Sequence, residues 1–164
     1  RYVTYAFNFT GGAILKWYRD HFARYETMLA KEKGMSVYQL LDEQGAKKPT
    51  DLIVVPHFAG SATPDMQEQA RGAFFGLRFD TDAPTLYRAL IEGVTYEMAY
   101  NMEFLASAGI HIKELRAVGG GAKSAYWLNI KAGITGCRII SLDVDEAGVV
   151  GAAMLAGVAA GVYK

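Results

Sequence analysis

Three consecutive glycines, Gly119-Gly120-Gly121, stand between an apolar run and a segment with helical spacing. Residues 112–118 predict a strand, and residues 124–134 predict a helix. A strand that passes through glycines into a helix exposes backbone N–H groups at the helix start, where an anion such as phosphate is stabilised. Glycine permits this approach because it has no side chain. The sequence therefore predicts an α/β fold with a potential phosphate-binding turn.

Two familiar phosphate motifs do not fit this turn. The Walker pattern requires glycine directly before Lys-Ser, and Ala122 precedes Lys123-Ser124 here. The dinucleotide pattern G-x-G-x-x-G requires glycine at position 124, where Ser124 stands, and we expect no convincing βαβ unit after it. A short glycine motif without context is at least as often a structural connector, so the rest of the chain must decide.

The other segments predict helices and strands in mixed order. Hydrophobic spacing and turn residues indicate helices at 13–33, 36–41, 85–108 and 147–161, strands at 52–55, 74–79 and 138–142, and a long loop at 56–71. In the helix at 85–108, the spacing predicts that Leu86, Leu90 and Val94 face the core while Arg88 and Glu92 reach water. We expect the helix at 147–161, which is rich in Gly and Ala, to be tightly packed and buried.

Composition excludes several partners and compartments. The chain has 164 residues, enough for one domain, with 17 Lys and Arg against 17 Asp and Glu, so neither nucleic acid nor an anionic membrane is predicted as a partner. The uncharged stretch at 147–163 is short of the ~20 residues that span a membrane. The single cysteine, Cys137, excludes an internal disulfide, and we expect a cytoplasmic protein.

Taken together, the segments resemble the C-terminal domain of the FGGY carbohydrate kinases, a family that includes xylulokinases, gluconate kinases and glycerol kinases. The resemblance covers nearly the whole chain and is carried by four stretches in family order: Thr10-Gly11-Gly12-Ala13 with Trp17-Tyr18-Arg19-Asp20, Pro56-His57-Phe58-Ala59-Gly60 with Pro64, Ala70-Arg71-Gly72-Ala73-Phe74-Phe75-Gly76-Leu77, and Gly119-Gly120-Gly121-Ala122-Lys123-Ser124. Thr85 and Leu90 depart from the usual residue types of the family's second signature.

The resemblance implies a ribonuclease H-like (actin-like ATPase) domain in which a mixed sheet is flanked by helices. Residues 1–164 would form the nucleotide-binding C-terminal domain, truncated at both ends. In the full enzyme, this domain is paired with a sugar-binding N-terminal domain, which the chain is expected to lack. The implied cofactors are ATP and Mg²⁺, and the implied substrate is a sugar, polyol or sugar acid.

The resemblance also implies positions for the nucleotide. Gly12 is expected near the phosphates, Gly119, Gly120 and Gly121 near the α-phosphate and ribose, and Ser124 beside the adenosine. Lys16 stands where relatives have a polar residue near the nucleotide, so its ammonium could meet a phosphate, although an exposed helix lysine is an equal alternative.

No catalytic residue and no metal ligand are predicted within this chain. The aspartate that removes the proton from the sugar hydroxyl is expected upstream, together with a second phosphate loop and most sugar contacts. The isolated chain is therefore expected to be inactive. A surface normally covered by the other domain is expected to promote self-association, and we predict a homo-oligomer.

Two other functions remain open at this point. The chain could be a non-catalytic nucleotide-binding or oligomerising module, which upstream sequence would distinguish from a kinase. It could also be an actin-like or chaperone-like ATPase, although those proteins lack the stretch at 71–77.

Several polar or aromatic residues favour structural roles. His57 has no evident carboxylate partner, Asp65 and Arg71 are expected to pair with each other, and Trp17 and Trp127 are expected in the core rather than beside adenine. A last group is interpreted as a helix cap rather than a magnesium site: Asp143, Asp145 and Glu146.

Overall fold

The computed structural model describes residues 3–142, 144 and 146–163, in which six α-helices, four short strands and a single 3-10 turn are found. The helices are α1 (Ala13–Phe22), α2 (Arg24–Glu32), α3 (Val37–Gln44), α4 (Ala83–Ser107), α5 (Ala125–Thr135) and α6 (Ala147–Ala159). The strands are β1 (Ile53–Val55), β2 (Ala73–Phe75), β3 (Glu114–Ala117) and β4 (Arg138–Ser141), and the 3-10 turn is Gly120–Lys123.

The helix predicted at 13–33 is interrupted at Ala23. This residue has φ −114° and ψ 42°, outside the helical region, and it is fully buried. The break separates α1 from α2, so the prediction of one continuous helix is wrong. By contrast, Ser36 begins α3 as expected, because its hydroxyl and the Gln39 side chain form a capping box with the backbone.

The described strands form two separate pairs rather than one mixed sheet. β1 and β2 are antiparallel, and β2 ends at Phe75, before Gly76 turns the chain with φ +91°. β3 and β4 are parallel, with Leu115 opposite Ile139. Since α5 lies between β3 and β4 in sequence, the glycine turn opens a βαβ unit, and the expectation that none follows it is wrong.

Helix α4 is the centre of the core. Asp82 caps its start by accepting a hydrogen bond from the Thr85 amide at 2.9 Å, and this bonding to Thr85 lowers the pKa of Asp82. The helix packs on α1, β1 and α5, and it approaches β1 so closely that a Cβ on Gly93 would lie 2.5 Å from the Val54 carbonyl oxygen. The largest fully buried side chains are Tyr18, Tyr87, Ile14, Leu90, Ile91 and Thr95.

The polar face predicted for α4 does not reach water at Arg88 and Glu92. These side chains are only 11% and 4% exposed and form an ion pair, with 2.6 Å between Arg88 Nε and Glu92 Oε1. The amide and hydroxyl of Thr50 donate to Glu92 Oε2, and Arg88 Nη1 donates to the Ala46 carbonyl. The loop between α3 and β1 therefore covers this part of α4, which the helical spacing alone could not indicate.

The prediction that helix α6 is buried is wrong. None of its residues is buried, and Leu155 is 74% exposed. The sequence correctly predicts an apolar helix, but apolar composition does not determine which other segment covers it.

Candidate functional site

Helices α1, α3, α4 and α5 surround a cavity of about 210 Å³. Two glycine segments that are more than a hundred residues apart in sequence meet there, one before α1 and one before α5. The cavity is lined by Gly12, Leu15, Tyr38, Asp42, Tyr87, Gly120, Gly121, Ser124 and Trp127.

The start of α1 has unused backbone donors. Gly12 is the N-cap residue, and no side chain caps the helix. Among the described residues, no hydrogen-bond acceptor is found for the amides of Gly12 and Ala13. A Cβ on Gly12 would have no neighbour within 4 Å, so the backbone is open to a ligand. Such a helix start can hold an anion through its N–H groups and its dipole.

The second glycine segment leaves the end of β3 through Gly119, whose φ of +79° disfavours any side chain. The 3-10 turn follows, closed by a hydrogen bond from the Ala122 amide to the Gly119 carbonyl at 3.0 Å. Within the described chain, the Gly120 and Gly121 amides have no backbone acceptor. A Cβ on Gly120 would lie in open space, whereas one on Gly121 would lie 3.0 Å from Trp127 Cζ3. The turn therefore also has free N–H groups on residues that line the cavity.

Ser124 and Trp127 form the wall beside this turn. The Ser124 hydroxyl caps α5 by accepting a hydrogen bond from the Trp127 amide at 2.9 Å. The Trp127 ring is buried, and its Nε1 has no hydrogen-bond partner among the residues that the structure describes. Trp127 is thus a core residue, as expected, and a cavity residue as well. Its indole N–H remains a potential donor to an acceptor in the cavity.

Lys16 lies apart from the other predicted site residues. It is exposed on α1, and its amide donates to the Gly12 carbonyl at 3.2 Å. Its side chain is not among those that line the cavity. Of the six predicted site residues, the cavity brings together Gly12, Gly120, Gly121 and Ser124, while Gly119 shapes the turn behind them.

Three further residues that the sequence did not indicate also line the cavity: Tyr38, Asp42 and Tyr87. Tyr38 and Asp42 are four residues apart on α3, so they share one face of the helix. This spacing was the available signal, but α3 carries no glycine motif that would have drawn attention to it. Tyr87 was hidden within the apolar pattern of α4.

A wider space of about 690 Å³ shares Gly12, Gly120, Gly121 and Trp127 with this cavity and is also lined by Lys131. Lys131 Nζ lies 4.5 Å from the centre of the Trp127 ring, in a cation–π contact. Burial lowers the pKa of Lys131, because a partly desolvated ammonium is less stable than one in water.

Outside the cavity, the loop after β1 contains polar contacts that differ from the predictions. His57 has a carboxylate partner after all, since its Nε2 lies 3.0 Å from Glu97 Oε2 on α4, and both side chains are largely buried. Asp65 and Arg71 do not pair with each other. Arg71 instead donates to the carbonyls of Glu68 and Ala70, and Asp65 accepts a hydrogen bond from the Tyr100 hydroxyl at 3.5 Å.

Within residues 3–142, 144 and 146–163, no group of three or more His, Cys, Asp or Glu side chains is arranged to hold a metal ion. Asp143 and Asp145, considered above for a cap or a magnesium site, lie outside the described residues. Glu146 does not cap α6 with its side chain. Membrane crossing requires a longer or more apolar helix than any in the described part of the chain.

Comparison with known proteins identifies relatives that match nearly the whole chain. The family model for the C-terminal domain of the FGGY family of carbohydrate kinases matches residues 1–160. The chain is 32% identical to an autoinducer-2 kinase from Enterobacter sp. (strain 638) and 33% identical to a glycerol kinase from Leptospira biflexa, covering 96% and 95% of this chain. It spans 31% and 30% of the lengths of those relatives.

A solved structure supports the same relationship. The crystal structure of Plasmodium falciparum glycerol kinase with ADP is 25% identical and superposes with a TM-score of 0.73. The match covers 93% of this chain and 29% of the glycerol kinase chain. The actin-like fold expected from the sequence is confirmed by this similarity.

Proposed function

The chain belongs to the FGGY family of carbohydrate kinases, and from this premise we propose that it is the nucleotide-binding part of an ATP-dependent kinase. The complete enzyme would transfer the γ-phosphoryl group of ATP to a hydroxyl of a sugar, polyol or sugar acid. The observation that carries the proposal is the meeting of two glycine segments, with unused amide donors, at one cavity.

ATP fits the chemistry of this cavity. The amides at Gly12 and at Gly120 and Gly121 offer donors to phosphate oxygens, and the absence of side chains lets the phosphates approach. The aromatic wall of Trp127 and Tyr38 suits the flat, apolar faces of a nucleoside. We therefore assign the phosphates to the glycine segments and the adenosine to the side of Ser124.

Lys16 is the remaining proposed nucleotide residue. Its flexible side chain begins one helical turn after Gly12, and α1 presents it to solvent. An ammonium at this point can reach forward to a phosphate oxygen that projects out of the cavity. We propose that Lys16 contacts a terminal phosphate rather than the nucleoside.

Magnesium would be held mainly by the phosphates and by groups outside the described residues, since those residues offer no cluster of ligands. When bound, Mg²⁺ offsets the charge of the phosphates during phosphoryl transfer. The role of this chain is to bind and orient the nucleotide. The base that accepts the sugar hydroxyl proton and most of the sugar contacts would come from a partner domain, so we propose that the chain alone is inactive.

A second candidate function is an oligomerising module. The exposed apolar surface of α6 favours it, because monomeric proteins rarely leave a whole apolar helix in water. We propose self-association through this helix, which is compatible with nucleotide binding. The single cysteine, Cys137, which forms no disulfide, is compatible with the cytoplasmic location that we propose.

An amide NMR titration of the chain with Mg-ADP tests the main proposal. We expect shifts concentrated at Gly12 and at residues 119–124, and we expect a Gly120→Val variant to lose them. A Cβ at Gly120 meets no protein atom within 4 Å, so the variant should fold while its side chain blocks the phosphates. Gly133→Val is the matched control, because Gly133 also has open space around it and lies outside the cavity. Equal shifts in all three proteins would contradict the proposal.

A further inference from the structure

Asp42 places a negatively charged acceptor in a cavity whose glycine segments supply hydrogen-bond donors. Among the described residues that line it, Asp42 supplies the only carboxylate, and it lies on α3. The glycine segments on α1 and before α5 provide N–H donors, whereas an ionised carboxylate only accepts hydrogen bonds. One wall therefore attracts anions and another repels them.

The Asp42 carboxylate is held in place by a buried tyrosine. The Tyr87 hydroxyl donates to Asp42 Oδ1 at 2.7 Å, and Tyr87 is only 1% exposed. The Tyr87 ring also stacks on Tyr126, with ring centres 6.3 Å apart and planes at 10°. Burial, followed by this hydrogen bond, raises the pKa of Tyr87, so its phenol remains a neutral donor.

The second carboxylate oxygen is available to a ligand. In the described part of the chain, Asp42 Oδ2 forms no hydrogen bond and no ion pair. The Lys47 ammonium donates to the backbone carbonyls of Asp42 and Glu43 rather than to the Asp42 carboxylate. The carboxylate is thus oriented through one oxygen and unsatisfied through the other.

We infer that Asp42 fixes the direction in which the nucleotide enters, by accepting a hydrogen bond from a neutral donor of the nucleoside. This inference rests on the proposed nucleotide-binding function. Phosphates are repelled by the carboxylate and directed to the glycine amides, while a ribose hydroxyl or an exocyclic amino group is attracted. Asp42 is a specificity residue of the site, and Tyr87 is its positioning residue.

The test combines a residue change with a ligand change. Asp42→Asn keeps the size of the side chain and an oxygen for Tyr87, but it removes the charge and one acceptor. We expect it to weaken ADP binding about tenfold in a calorimetric titration, as for the loss of a charged hydrogen bond. Glu43→Gln is the matched control, because it removes a neighbouring charge from α3 outside the cavity and should leave the affinity unchanged.

Two analogues identify the donor. If a ribose hydroxyl is the donor, wild type should lose about tenfold in affinity with 2′-deoxy-ADP or 3′-deoxy-ADP, and Asp42→Asn should lose little further. If the base amino group is the donor, the same pattern should appear with inosine diphosphate, which has a carbonyl in its place. Equal affinity of wild type and Asp42→Asn for ADP would overturn the inference alone. Failure of wild type to bind ADP would overturn the proposed function and this inference together.

Discussion

Gly45 lies directly against the Tyr126 ring, so that a Cβ on Gly45 would lie 2.7 Å from both Cζ and Oη of Tyr126. The Tyr126 hydroxyl donates a hydrogen bond to the next carbonyl, that of Ala46, at 2.7 Å. The end of α3 is thereby joined to the first turn of α5. Helix α3 carries Asp42, and helix α5 follows the glycine turn. The contact between Gly45 and Tyr126 therefore sets the separation between these two walls of the cavity.

A Gly45→Ala substitution tests this contact. The added methyl would overlap the ring, and we expect a loss of about 1–3 kcal/mol in the free energy of unfolding, as for overpacking in a core. The midpoint of urea denaturation measures it. Gly133→Ala is the control, because it adds the same methyl in open space within α5 and should be neutral or stabilise by up to about 1 kcal/mol. Equal midpoints for the two variants would show that Tyr126 moves freely.

Breaking the buried ion pair of Arg88 and Glu92 should lower the free energy of unfolding strongly, whereas replacing both residues by apolar ones should lower it less. Arg88→Met leaves Glu92 buried without its partner, and we expect a loss of about 3–5 kcal/mol. The double substitution Arg88→Met with Glu92→Leu should recover part of that loss, as measured by a double-mutant cycle. Arg78→Met removes the exposed partner of Asp80 and should cost at most about 1 kcal/mol. A similar loss in the free energy of unfolding for Arg78→Met and Arg88→Met would contradict the burial of the Arg88–Glu92 pair.

The sequence predicted much of this fold and part of the site, and the failures share a physical cause. Hydrophobic spacing and turn residues approximately located the starts of α3, α4 and α5, because the capping side chains that the structure shows there, Ser36, Asp82 and Ser124, act within a few residues of themselves. The glycine segments were found for the same reason. Burial of Arg88 and exposure of α6 depend on which distant segment covers each helix, and local spacing contains no such information. Asp42 was missed because only the folded chain brings α3 to the glycine turns.

Alkaline pH should reveal the role of the Tyr18 hydroxyl. It donates to the Ala83 carbonyl at 3.0 Å, and burial raises the pKa of Tyr18 to about 12. Because the folded-state pKa lies above the unfolded value, the stability from this group is complete below about pH 10 and is lost as the pH rises towards 12. Tyr18→Phe should therefore cost about 1 kcal/mol at pH 8. That difference from wild type should shrink in urea titrations above pH 10, and a constant difference would contradict the assignment.

Lys16 offers a test of the proposed phosphate contact. If its ammonium meets a terminal phosphate, Lys16→Gln should weaken ADP binding by about 1.5 kcal/mol, roughly tenfold, and reduce the salt dependence of the affinity. Adenosine binding should not change. Lys31→Gln on α2 removes the charge of another exposed lysine, which lies outside the cavity, and serves as the control. If both variants bind ADP like wild type, Lys16 is an ordinary surface lysine.

Self-association through α6 predicts a specific response to a charge. Leu155→Lys places an ammonium on the exposed apolar surface of this helix, and we expect light scattering to show a smaller mean mass than for wild type. Stability should be almost unchanged, because the position is already exposed. The control is Glu32→Lys, which changes a surface charge away from α6 and should leave the mean mass unchanged. Thr27→Lys would not serve as a control, because it removes the hydrogen bond from the Thr27 hydroxyl to the Ala23 carbonyl. Monomeric wild type would contradict the proposal.

The buried stretch of α4, residues 87–95, makes the opposite walls of the cavity one cooperative unit. Tyr87, in this stretch, holds Asp42 on α3 by a hydrogen bond and stacks on Tyr126 of α5. Neither α3 nor α5 can therefore separate from the core without exposing α4, the helix that supports both. Amide hydrogen exchange in α4 should then report the opening of the entire cavity, and a bound nucleotide should slow it far from any atom that the nucleotide contacts.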